Sequence, residues 1–241
     1  MNTIITVIIC AVFGALVGVL SIPISKKLIL NRTKDPGETI VLNKTPSKIL
    51  IVLAGTLSCA ALGATSSIFN IDGSANTEIA FLVRNLLLIF PMLCIAITDS
   101  LIRKIPNSLL LAMIGIQLIY LTTYSVMVNS TTVFIKAGFG LFIGFIACVV
   151  PSILKIPVGA GDIKYSAVIG LCFYLANYLQ AMVIMGLLAV IAYIVLKITK
   201  KGGMKTLIPM GPFLSAGTVI SICFPIFENF VISNGLLGQM V

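Results

Sequence analysis

The sequence predicts an all-α, polytopic membrane bundle of about eight transmembrane helices, and three observations carry the prediction. Of its 241 residues, 59% are hydrophobic and 10% charged, with a mean hydropathy of +1.17, whereas an ordinary soluble domain carries about a quarter charged residues. Apolar runs long enough to cross a bilayer recur along the whole chain. Between them, Lys and Arg gather in alternate loops, as cytoplasmic loops require. So little polar surface cannot cover a soluble globule. The net charge of +9 sits between apolar runs and not in a basic patch, so no nucleic-acid partner is expected.

A helix needs about 20 apolar residues to cross the hydrocarbon core. Five runs of that kind lie at 3–22, 49–69, 80–97, 108–126 and 133–154. Two contain a basic residue near one end, Arg84 and Lys136, and each is expected to snorkel toward the interface. The first run lacks a basic segment before it and has Lys26 and Lys27 after it, so it reads as a retained span and not as a cleavable signal. The stretch 165–196 holds 32 uncharged residues, too many for one crossing. It is read as two, 165–179 and 180–196, with a turn near 176–178. A shorter run at 212–227 closes the series.

Loop charge supports this count. Fourteen of the 16 basic residues fall in odd-numbered loops: Lys26 to Lys48 in the first, Arg103 and Lys104 in the third, Lys155 and Lys164 in the fifth, Lys197 to Lys205 in the seventh. Lys164 and Lys197 share a side only if the chain crosses twice between them. The pattern is that of eight spans with both termini outside and the odd loops in the cytoplasm of a plasma (inner) membrane. The short basic loop 25–47 is too small to be a separate domain, so residues 1–241 read as one transmembrane unit.

The residue inventory narrows the chemistry. There is no His, which removes Ser/His and Cys/His nucleophile pairs and most zinc sites. The six Cys fall singly in apolar stretches with no Cys-x-x-Cys spacing, and read as small buried apolar residues. No metal or cofactor is expected. Of the seven acidic residues, Asp35, Glu38, Asp72, Glu78 and Glu228 read as solvated loop charges. The remaining two, Asp99 at the end of the third span and Asp162 just before the sixth, fall at one cytoplasmic edge of the bilayer. Each alone could be a cap, Asp162 at a helix N-terminus and Asp99 paired with Arg103 four residues on. A carboxylate at the hydrocarbon boundary is nevertheless a functional-site hypothesis by default, and two on one face can meet.

Two adjacent carboxylates that cannot both ionise share a proton, which separates their apparent pKa values. One is then an acid and the other a base, the arrangement by which aspartic proteases activate water and protonate the leaving amine. Gly159 and Gly161 would let the backbone turn tightly beside Asp162, and Pro106 can restart a helix after the basic turn.

Together these segments resemble the type IV prepilin peptidases, membrane aspartic proteases of the Gly-x-Gly-Asp kind. Asp99 followed by Ile105-Pro106-Asn107 is similar to the family's first-aspartate segment. Gly159-Ala160-Gly161-Asp162-Ile163-Lys164 is similar to its Gly-x-Gly-Asp-x-Lys segment, and Ile208-Pro209-Met210-Gly211-Pro212 to the stretch that opens its last span. The resemblance implies Asp99 and Asp162 as the catalytic pair, with Gly159, Gly161, Lys164, Pro106 and Asn107 supporting the loop or the substrate. Lys164 also reads as a positive-inside anchor. The implied substrate is the N-terminus of a prepilin or pseudopilin of a type IV pilus or secretion apparatus, a short basic leader cut at the cytoplasmic face before an apolar helix. Larger members carry Cys-x-x-Cys pairs in the first cytoplasmic loop and N-methylate the product; loop 25–47 has no Cys, so the reading commits to the peptidase and leaves methyl transfer open. Presenilin-like proteases carry Tyr-Asp and Pro-Ala-Leu, where this chain has Thr98-Asp99 and no Pro-Ala-Leu. A Ser/Lys peptidase would need a Lys in an outer loop. The alternative from another class is a cation- or proton-coupled transporter with the two Asp as its ion site. Oligomeric state is left open.

Overall fold

The computed structural model describes residues 3–30, 48–65, 75–154, 158–199 and 209–228. Among these the chain forms seven helices and no strand: α1 Thr3–Leu30, α2 Lys48–Thr65, α3 Ala75–Ile102, α4 Asn107–Val128, α5 Thr132–Ile153, α6 Ala160–Ile198 and α7 Met210–Cys223. Six are long and apolar enough to cross a membrane; α7 is the shorter one. The protein is a polytopic helical membrane bundle. Its outward faces are apolar, as along α1, where Ile4, Ile8, Val12, Leu16 and Val19 are all exposed, the surface that lipid tails would cover.

The helices overrun the apolar runs that predict them. α1 continues from the expected 22 to Leu30 through Pro23, and α3 adds a turn or more at each end of the expected 80–97. An apolar count measures the hydrocarbon crossed, whereas a helix persists through the interface until a residue stops it. α3 stops at Arg103, whose backbone is left-handed (φ 53°) and whose N–H donates to the Asp99 carbonyl at 3.0 Å, a C-terminal cap. α7 begins at Met210 and ends at Cys223, short of the expected 227, because Pro225 cannot continue the hydrogen-bond ladder. The expected residues 66–69 of the second span, most of loop 25–47, Lys155, Lys200, Lys201, Lys205 and Ile208 lie outside the described residues.

The 39 residues of α6 would reach about 58 Å if straight, nearly twice the hydrocarbon thickness. They are not straight: Tyr174 interrupts the helix with φ 60° and ψ 177°. Ser166 Oγ and Tyr178 Oη, twelve residues apart, lie 2.7 Å from each other, whereas twelve residues of straight helix span about 18 Å. The chain therefore doubles back at Tyr174 into two arms. The turn comes at Tyr174 and not at the expected 176–178. With the arms taken separately, the described residues hold eight helical segments.

Without a strong hydrophobic drive between helices in lipid, close packing and buried hydrogen bonds must hold the bundle. α1 and α2 run antiparallel with Gly14 against Gly55 and Gly18 against Val52. α5 meets the first arm of α6 the same way, Gly140 against the carbonyl of Gly170 and Gly144 against that of Ser166, so tightly that a Cβ on either glycine would collide with backbone. α7 packs antiparallel to the second arm, with Gly217 against Ala181 and Ser221 Oγ donating to the Asn177 carbonyl at 2.8 Å. All six Cys are buried and free.

These pairings place Lys26, Lys27, Lys48, Arg103, Lys104, Lys164 and Lys197 at one end of the bundle, the end that carries Asp99 and Asp162. Two expectations about charge are corrected. Arg84 does not snorkel; it is 3% exposed and turned into the bundle at the opposite end. Glu228 is not simply solvated, since its Oε2 accepts from Asn177 Nδ2 at 2.9 Å.

Candidate active site

Asp99 lies in the last turn of α3, 5% exposed. Its Oδ2 accepts a hydrogen bond of 2.8 Å from the backbone N–H of Gly211, 112 residues away in the first turn of α7. Helix N-termini offer such unpaired N–H groups. A Cβ on Gly211 would sit 2.8 Å from Asp99 Oδ2 and 2.9 Å from its Cβ, so only glycine lets the carboxylate come this close. The Gly211 carbonyl accepts from Ser215 Oγ at 2.8 Å, and that hydroxyl pairs with the fully buried Tyr165 Oη at 2.6 Å. The start of α7 is thus tied to α3 and to the first arm of α6 at once.

Asp162 is the third residue of α6, inside its first turn and not before the helix, with Gly159 as N-cap. Its carboxylate reaches back to the Gly159 N–H, the reciprocal half of a capping box. A Cβ on Gly159 would come within 2.9 Å of Asp162 Oδ2. Gly161 packs on Ile105, whose Cβ is 3.3 Å from where a Gly161 Cβ would be. That contact brings the turn after Asp99 under the first turn of α6, which carries Asp162. Asp99 acts electrostatically on Asp162, and the Arg103 charge on Asp99. Asp162 is half-buried, between a buried partner and an open end.

The other expected residues are distributed around this pair. Pro106 is buried and is the N-cap of α4, its carbonyl accepting from Leu109 and Leu110. Asn107 and Lys164 are exposed at the same end. Asp99 and Asp162 each accept from a backbone N–H at a helix start, Gly211 and Gly159 respectively. Sequence reasoning did not single out Gly211, Ser215 and Tyr165 as site residues. Gly211 stood in a quoted string; Ser215 and Tyr165 had no signal, being ordinary span residues. Among the described residues, no three Cys, Asp or Glu converge as a metal site would need.

Six membrane-length helices define a multi-pass membrane protein, with Asp99 and Asp162 at one end of its bundle. Residues 86–198 match the family model of the type IV leader peptidase family, Peptidase_A24. Over that stretch the chain is similar to the type IV leader peptidases, and leader-peptidase-type proteolysis is the activity that the match supports. The matched stretch includes both aspartates and ends before α7. No curated protein and no solved structure gives a significant match.

Proposed function

We propose that this protein is an aspartic endopeptidase that removes the short basic leader from prepilin or pseudopilin precursors at the cytoplasmic face of the membrane, with Asp99 and Asp162 as the catalytic pair. One observation supports the reading: the turn after Asp99 packs on the start of α6, Ile105 against Gly161, so that the two acidic residues at span ends stand at the same end of the bundle. The single transmembrane unit and its eight crossings belong to the same proposal, with the basic end of the bundle in the cytoplasm.

The chemistry follows from the pair. The carboxylate that is ionised takes a proton from water as that water attacks the scissile carbonyl, and its protonated neighbour donates to the carbonyl oxygen; as the intermediate collapses, the first carboxyl passes the water's proton to the departing amine and the neighbour recovers its own from the oxygen that becomes the product carboxyl. Gly211 holds Asp99 in place through its N–H. A site at the bundle edge receives an apolar substrate helix from the side while water reaches Asp162 from the open end. Activity that needs one proton on the pair falls at low pH, when both are protonated, and at high pH, when both are ionised, giving a bell-shaped profile.

The test is cleavage of a prepilin-type substrate by the purified protein in lipid. Asp99→Asn and Asp162→Asn, each alone, are expected to lower kcat by about 10²–10⁴-fold, the usual worth of an acid or base. Cleavage that survives either change removes the pair from the mechanism.

A further inference from the structure

At the end of the bundle far from the aspartates lies a second cluster of buried polar groups that the proposed chemistry does not use. Its centre is Arg84. The guanidinium sits over the rings of Tyr120, Phe81 and Phe173 at 4.4, 4.8 and 5.5 Å. Nε and Nη2 donate to Asn85 Oδ1 at 3.1 and 2.7 Å, and Nη1 donates to the Cys172 carbonyl at 3.2 Å. One residue earlier on α6, the Leu171 carbonyl accepts from Gln117 Nε2 of α4 at 3.2 Å.

The position explains the charge. The break at Tyr174 ends the first arm of α6 and leaves its last carbonyls without amide partners; those carbonyls are also the negative end of the arm's dipole. A buried cation inside a membrane helix is costly unless such groups neutralise it. Arg84 and Gln117 therefore cap the first arm from two neighbouring helices. Arg84 belongs to α3, the helix that carries Asp99 about 22 Å further on, and Cys172 belongs to the arm that carries Asp162. The two helices that present the aspartates at one end are pinned to each other at the other end by this bond.

We infer that Arg84 is a positioning residue for the Asp99–Asp162 pair, fixing the register of the first arm of α6 along α3; this rests on the proposed peptidase reading. A slip of the arm would move Asp162 relative to Asp99 without unfolding either helix. Misplacement of about 1 Å costs on the order of 10²-fold in rate.

Two readouts on the full-length protein in lipid separate this role from general stability. The first is leader cleavage by Arg84→Gln and Arg84→Lys. The second is the rate of oxidative cross-linking between cysteines introduced by Ile105→Cys and Gly161→Cys, followed by mass spectrometry; those Cβ positions are 3.3 Å apart, near the spacing of a disulfide. With Arg84→Gln, kcat should fall by about 10–100-fold while KM stays close to the parent value, and the cross-link should slow. Arg84→Lys, which keeps a donor for the Cys172 carbonyl, should recover part of both. Unchanged kcat, an unchanged cross-linking rate, or a loss of activity that only tracks the loss of folded protein overturns the inference. If the protein without any substitution cleaves no leader, the peptidase reading falls instead, and the cross-link alone then decides the register.

Discussion

Gly211 shows how much one missing methyl group can decide. Its N–H holds Asp99 Oδ2 at 2.8 Å, in the space where a Cβ would project. Gly211→Val must push the carboxylate and the start of α7 apart. The expected result is a loss of about 10²-fold in kcat with the helical circular-dichroism spectrum retained; wild-type turnover would show that this hydrogen bond does not place Asp99. The two aspartates proposed as the pair stand out in the sequence because acids are so few in this chain that each can be weighed in turn. Gly211 was visible only as part of a familiar string, since its contact is made through the backbone with a residue 112 positions away. Arg84 was misread for a related reason: closeness to a helix end says nothing about whether a side chain points to lipid or to a neighbouring helix.

Among helices, the reversal of α6 matters most to the site. Loop charges predict two crossings in 165–196 with a turn near 176–178, and the chain reverses at Tyr174. No glycine or proline marks the break; Tyr174 takes a backbone conformation that costs a non-glycine residue about 1–3 kcal/mol, and tertiary contacts from α3 and α4 hold it there. Such contacts leave no local mark in a sequence. The interface between α5 and the first arm depends on Gly140 and Gly170 touching through their backbones. Gly170→Val forces the helices apart and should cost about 1–3 kcal/mol, as overpacking does, read as a lower unfolding midpoint in detergent. A midpoint equal to wild type would mean that the pair separates freely.

For the molecule as a whole, alternate basic loops foretold that one end of the bundle would collect the cations, and the packing of the described helices places Lys26, Lys48, Arg103, Lys164 and Lys197 together there. The bilayer orientation proposed from this is open to a direct measurement. A cysteine introduced by Lys164→Cys should react with an impermeant thiol reagent only from the cytoplasmic side, and one introduced by Ser130→Cys, in the turn between α4 and α5, only from the outside. Labelling of both from one side would refute the layout. What composition could not supply was the pairing of helices, because in lipid this depends on small-residue contacts and buried polar bonds and not on hydrophobicity.

The bond from Gly211 to Asp99 also fixes an order of events during synthesis. The ribosome makes α3 and α6 well before α7, so a nascent chain already carries both aspartates while the donor that seats the first is still missing. Under the proposed peptidase reading, competence then arrives only when α7 docks.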